Sequence, residues 1–197
     1  MPKIVDHDER RTVVLDATWR VIAREGLHGV TLRRIAVEAG FSSGVLAHYF
    51  NGKEDILISA HKLAYARAGE RIERATKGRT GVDALRAAIL EALPLDAERY
   101  LEAQVDVSFL GQMVGNERLR AIRSESNSFS RSVWRTFVVD AQNRGEIVAE
   151  LDPELVADEL NGLIDSLSVE AIIDPEWMTP ARQLMLTERM ISRLCTP

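Results

Sequence analysis

The chain has 197 residues, 46% of them hydrophobic and 28% charged, which suits one globular domain, or one domain with a small specialised end, and excludes extended disorder. A single cysteine, Cys195, excludes a disulfide-stapled fold, and four histidines at positions 7, 28, 48 and 61 lack the spacing of a zinc site, so no metal or cofactor is expected. The net charge of −5 argues against coating nucleic acid by bulk attraction, yet residues 1–52 carry +1 and the remainder −6, so the acidity lies after the first quarter of the chain.

The amino terminus is charged where a secretory signal would be apolar, and no uncharged apolar run reaches membrane-spanning length, so a cytoplasmic protein without a membrane partner is expected. Asp6 and Glu9 stand at capping-box spacing before Val14, Ala17, Val21 and Ile22, which recur at helical intervals, and Gly26 is placed to end this first helix. Thr31 caps a short segment in which Leu32, Ile35, Ala36 and Ala39 share a face and which stops at Gly40. Ser42 caps another, reaching about Phe50. Asn51 and Glu54 offer a second capping box for a long helix from Lys53 toward Thr76, broken by Gly78 and Gly81. Further helices are predicted over 82–93, about 96–114 and 117–143. Asp152-Pro153 and Thr179-Pro180 each put a capping side chain before a proline at the first helical position, announcing helices over 153–173 and 180–194. Alternating strand patterns are missing, so the fold class is all-α, with about nine helices.

The segment 31–50, TLRRIAVEAGFSSGVLAHYF, has the spacing of a helix-turn-helix. Ala36 permits close crossing of the two helices, and Gly40 can adopt positive φ at the turn without a Cβ clash. If the second helix enters a major groove, Ser42, Ser43 and Gly44 approach phosphates or base edges. Val45 and Ala47 suit a thymine methyl, although Val45 suits a core equally, and His48 and Tyr49 offer hydrogen-bond groups. Thr31 at the helix start, Arg33, Arg34 and Lys53 complete the candidate DNA-binding set, the three cations as phosphate clamps. So few cations on a nearly neutral module give modest affinity per subunit, which calls for a second copy.

The stretch from Arg11 to Leu57 resembles the TetR family of one-component repressors. The resemblance is carried by Val14-Leu15, Ala17, Gly26, Thr31, Ile35-Ala36, Ala39-Gly40, Ser43-Gly44, Tyr49-Phe50, Lys53-Glu54 and Leu57. Gly44 to Phe50 is most similar to the choline-responsive BetI branch. Ala47 departs from the tyrosine many members carry, which implies a different operator contact. The resemblance implies a DNA-binding domain over 1–52 and, joined by a long fourth helix, an effector-binding and dimerisation domain over 53–197. It also implies a homodimer whose last two helices pair with their mates. Val156, Leu160, Leu163, Ile164 and Leu167, with Leu184, Met190 and Ile191, permit that interface, and they suit a monomer core as well.

Candidate effector-binding residues are Tyr100, Gln104, Phe109, Met113, Phe129, Trp134, Phe137, Asn161 and Asp165, in a domain where most such residues simply form core. Asp165 stands out between Ile164 and Leu167, because a carboxylate buried in an apolar helix needs a partner. A cationic effector, a cation at the dimer seam or exposure would each satisfy it. Trp134, Phe109 and Phe137 offer aromatic faces to a quaternary ammonium. No nucleophile with its base, metal cluster or phosphate-cradling loop is visible, so an enzyme is not expected. The expected function is a ligand-responsive repressor that binds a palindromic double-stranded DNA operator as a homodimer and is released by a small molecule. The alternative is a helical protein-interaction scaffold without DNA binding, which leaves the chemistry of residues 42–49 unexplained.

Overall fold

The computed structural model describes residues 5–195, the side chains of residues 5–8, 27 and 28 excepted. Among the described residues the chain forms nine α-helices: α1 (Val5–Gly29), α2 (Leu32–Ala39), α3 (Ser43–Tyr49), α4 (Lys53–Thr76), α5 (Gly81–Ala92), α6 (Ala97–Met113), α7 (Glu117–Asn143), α8 (Pro153–Ile173) and α9 (Pro180–Leu194). The only β-type pairing among them is an isolated bridge between Ile147 and Cys195.

Most helix starts follow the capping chemistry of the sequence. The Thr31 hydroxyl accepts from the Arg34 N–H, Ser42 from Val45, Asp152 from Glu154 and Thr179 from Arg182, each satisfying a donor that the first helical turn leaves unpaired. Two starts differ from expectation. Backbone helix is already present at Val5, so Asp6 lies inside α1 rather than capping it, and its side chain falls outside the described residues. At α4 it is Asp55, not Glu54, that reaches back to accept from the Asn51 N–H at 2.9 Å. Glu54 instead accepts from Asn116 and Arg118 at the start of α7, tying the connector helix to the regulatory body. Gly26 has φ of 64°, which only glycine adopts freely; it kinks the first helix, and a short further turn runs on to Gly29.

Two apolar cores organise the molecule. The first gathers Trp19, Val21, Ile35, Leu46 and Phe50 from α1 to α3 and the following turn, with Ile56, Leu57 and Ala60 of α4 and Val105 of α6. The second joins Leu85 and Ile89 of α5, Trp134 and Val138 of α7, Leu160 and Ile164 of α8, and Ile191 of α9. Each fully buried aliphatic side chain in them contributes about 1.5–3 kcal/mol. The first core does not stop at residue 52. The Trp19 indole donates to the Ala60 carbonyl at 3.2 Å, and Arg67, stacked over the Trp19 ring, donates to Asp16 at 2.9 Å. The amino-terminal helices therefore ride on the first half of α4.

Candidate functional site

The short helix α3 is anchored on one side and open on the other. Leu46 and Phe50 are fully buried beneath it, whereas Ser42, Ser43, Gly44, Ala47 and His48 are exposed, and Val45 and Tyr49 are half-buried at the margin. That alternation puts small and polar side chains on the outer face while two apolar ones fix the helix to its support. Ala36 is buried at the crossing and Gly40 has φ of 73°, as the turn requires. The far end of α3 is held by Arg11, a residue with no sequence motif to reveal it. Its guanidinium donates to the Tyr49 carbonyl at 2.9 Å and lies 4.5 Å from the centre of the Phe50 ring.

The candidate phosphate clamps fare unequally. Arg33 is exposed and makes no ion pair with the described residues. Arg34 is exposed too, but its guanidinium is paired with Glu25. Arg20 and Arg24 bind Glu38 at 2.8 and 3.1 Å, so the cations linking α1 to α2 are largely neutralised within the domain. Lys53 sits half-buried at the first turn of α4. Thr31 serves as a helix cap with an exposed side chain.

Between α4, α6, α7 and α8, with Ala92 of α5 at one end, lies a cavity of about 300 Å³. Of the nine effector candidates, Phe129, Trp134, Phe137, Asn161 and Asp165 line it. Trp134 is buried, while Phe129 is 64% exposed at its edge. The others lie elsewhere. Phe109 is buried in a small separate core with Ile58 and Leu119, stacked on His61 at 4.5 Å between ring centres, and Met113 packs against the same cluster. Tyr100 and Gln104 are half-buried on α6 and do not reach the cavity. Helical periodicity marked α6 as amphipathic but did not say which of its apolar positions would face α4 and which the open space.

Within the chain Asp165 finds a cation in Arg123 of α7. Its Nη2 donates to Asp165 Oδ1 at 2.8 Å. Its Nη1 donates to both Asp106 oxygens, at 2.7 and 2.6 Å, and to the Tyr65 hydroxyl at 2.6 Å. One guanidinium fork thus links α4, α6, α7 and α8. Behind it the fully buried His61 places Nδ1 3.1 Å from Asp106 and Nε2 3.1 Å from Ser126 Oγ. The two carboxylates differ. Burial raises Asp106, but His61 and Arg123 outweigh it, and its carboxyl stays below the usual range. Burial dominates at Asp165, which is raised above that range despite Arg123. Desolvation also raises the Tyr65 hydroxyl, with the nearby Asp106 adding to it.

At the opposite end the cavity is bounded by Arg71 and Arg99, and both are already committed to carboxylates. Arg71 pairs with Glu102 at 2.8 and 2.5 Å, and Arg99 binds Asp96 at 2.9 Å and Glu91 at 3.4 Å. Sequence reasoning missed Arg123, Asp106, Tyr65 and Arg71, because charged residues in amphipathic helices read as solvated faces unless their distant partners are known.

The positions proposed for a seam between two copies divide as well. Val156, Leu160, Ile164, Leu167 and Ile191 are buried in the chain's own second core. Leu163 and Met190 are half-buried against that core, and Leu184 is exposed. The outer surface of the last two helices carries different apolar groups, Leu155 and Ile173 on α8 and Met185 on α9, between 62% and 69% exposed. Both helices are apolar on two sides, and the sequence alone does not say which side the monomer uses.

An outward helix-turn-helix joined through one long helix to a cavity-bearing helical body is the architecture of a DNA-binding regulator controlled by a ligand. Comparison with known proteins gives the same class. Residues 14–60 match the family described as bacterial regulatory proteins, tetR family, and residues 81–196 match the BetI-type transcriptional repressor, C-terminal. The HTH-type transcriptional regulator PksA of Bacillus subtilis (strain 168) is 28% identical over 99% of this chain and 94% of its own. A putative transcriptional regulator from Saccharomonospora viridis, solved in complex with choline, shares the fold with a TM-score of 0.88 at 21% identity, covering 96% of this chain and all of that one. The transcriptional regulator FadR of Bacillus subtilis, solved in complex with stearoyl-CoA, has a TM-score of 0.78 at 26% identity, over 94% and 97% of the two chains. The chain belongs to the TetR family, with a carboxy-terminal domain of the BetI repressor type. It is a transcriptional regulator with a DNA-binding helix-turn-helix and a ligand-binding carboxy-terminal domain, and not an enzyme. Among its described residues no helix is long and apolar enough to cross a membrane.

Proposed function

We propose that the protein is a homodimeric cytoplasmic repressor that places two copies of α3 in successive major grooves of a palindromic operator and leaves it when a small cationic effector fills the cavity. The observation that carries the DNA half is the exposure of Ser42, Ser43, Gly44, Ala47 and His48 on a helix pinned by buried Leu46 and Phe50. Ser42 to Gly44, with Thr31, Arg33 and Lys53, set the position on the backbone, and Val45, Ala47, His48 and Tyr49 meet base edges. Arg34, held by Glu25, is a weaker clamp than Arg33. The DNA-binding part is taken as 1–52 and the effector and dimerisation part as 53–197, with the first half of α4 also supporting the amino-terminal core.

The dimer forms through the outer faces of α8 and α9, where Leu155, Ile173, Leu184 and Met185 lie exposed. Two recognition helices then reach half-sites about 34–36 Å apart. A cationic effector is favoured over an anionic one because the cavity's arginines are each already paired with carboxylates, Arg71 with Glu102 and Arg99 with Asp96 and Glu91, whereas Asp165 has one oxygen bound by Arg123 and the other only by Asn161 at 3.4 Å. Trp134, Phe129 and Phe137 supply ring faces for an alkylammonium group. The complexes of the two solved relatives point to either choline or an acyl-CoA, and this charge pattern suits choline.

The test is fluorescence anisotropy of labelled DNA from immediately upstream of the gene, with unrelated DNA of equal length as the control. Tight, salt-dependent binding to the first and release by millimolar choline chloride are expected. Equal binding to both DNAs would overturn recognition of an operator at that site, and release by stearoyl-CoA but not choline would overturn the cationic effector.

A further inference from the structure

Arg123 stands behind the cavity wall rather than in it. The wall itself presents Asp165, Asp106 and Tyr65, and Arg123 holds all three with a side chain only 7% exposed. Two of those partners belong to the DNA-binding half mechanically. Tyr65 lies on α4 one turn beyond His61, and α4 carries the amino-terminal helices through Trp19 and Arg67. Asp106 follows Val105, whose side chain is buried in the amino-terminal core. The third partner, Asp165, sits on α8, in the regulatory core.

We propose that Arg123 is the positioning residue that couples the cavity to the DNA-binding domain, with Asp165 as its contact to the ligand; this rests on the reading of the cavity as the effector site. The guanidinium is divided between Asp106 with Tyr65 on one side and Asp165 on the other. A cation drawn to Asp165 competes for that carboxylate and repels the guanidinium. Arg123 is too enclosed to turn to solvent, so it moves toward Asp106 and Tyr65 and loosens its hold on α8. The adjustment falls on α4 and α6, the two helices that bear the first core. Such a shared cation gives two discrete arrangements of one bundle, which is what a coupling between separate sites requires. Arginine suits the role because its planar fork serves several acceptors at once, which the point charge of lysine does not.

Removing the charge of Asp165 imitates the occupied cavity, so the relay is testable without ligand. Operator affinity is measured at fixed salt on the full-length protein for Asp165→Asn, Tyr65→Phe and the double variant, with helical content followed by circular dichroism. All are conservative changes, and Asp165 is 37% exposed, so the fold is expected to persist. Asp165→Asn alone should weaken operator binding about 5-fold or more, within the usual range of site-to-site coupling. In the Tyr65→Phe background, or with Arg123→Lys, the same substitution should change affinity by less than about twofold, the ordinary limit of additivity. An unchanged affinity in Asp165→Asn, or an equal loss in every background, overturns the relay. A parallel titration of the original protein with choline chloride separates the two readings: a non-additive cycle with no choline response keeps the relay and discards the cationic effector, and an additive cycle with a choline response does the reverse.

Discussion

The short helix α3 and the cavity between α4, α6, α7 and α8 are built by opposite rules. Around α3 the decisive relations are local: Ser42 caps three residues ahead, Gly40 turns the chain two residues before that cap, and Leu46 faces inward within the same two turns. Around the cavity they are distant, since Asp165 depends on an arginine 42 residues away and Tyr65 on one 58 residues away. The first region presents chemistry to an external partner and keeps its own needs simple. The second binds its charges to one another, leaves one carboxylate incompletely served, and so has something that a ligand can change.

Several substitutions sharpen that contrast, the largest on the cavity side. Arg123→Met leaves Asp106 and Asp165 without their cation, and breaking such an enclosed pair should cost about 3–5 kcal/mol of stability in urea denaturation; a loss under about 1 kcal/mol would mean that solvent already screens the network. His48→Ala, on an exposed position of α3, should leave the denaturation midpoint unchanged while altering operator preference by about 1–3 kcal/mol at one base pair. If a panel of operator variants keeps its rank order, His48 does not read bases. Arg33→Ala should lower affinity for all sequences and reduce the salt slope by about one, as loss of one phosphate contact does. Arg34→Ala should do so less, because Glu25 already occupies that guanidinium. The smallest effect concerns pH. Asp106 has its carboxyl depressed below the ordinary 3.8, so its contribution to stability is complete above that value and is lost as pH falls through the lower folded value. Asp106→Asn should therefore lack that part of the acid-induced loss, and an identical acid slope in both proteins would show that other carboxylates govern it.

The same contrast explains what could be read in advance. Helix order, the caps at Thr31, Ser42, Asp152 and Thr179, and the outward set from Ser42 to His48 follow from propensities acting over three or four residues. Asp165 was recognisable as a carboxylate in need of a partner, but nothing near it in the chain pointed to Arg123. Phe109 and Trp134 are both aromatic and both buried, yet one stacks on His61 and the other lines the cavity, a difference set by how α6 and α7 turn against α4. For α8 and α9 the pattern was ambiguous in kind, because a helix apolar on two sides gives one signal for two destinations. Val156 and Leu160 lie in the monomer core, while Leu155, immediately before Val156, is exposed.

The central claim is that the cavity and the operator-binding surface are two linked sites of one molecule. Calorimetric titration with choline chloride, carried out with and without saturating operator DNA, tests it most directly, since linkage must be reciprocal. The operator should weaken choline binding by the same factor, about 5- to 150-fold, by which choline weakens the operator. Equal choline affinities in the two titrations would contradict the account.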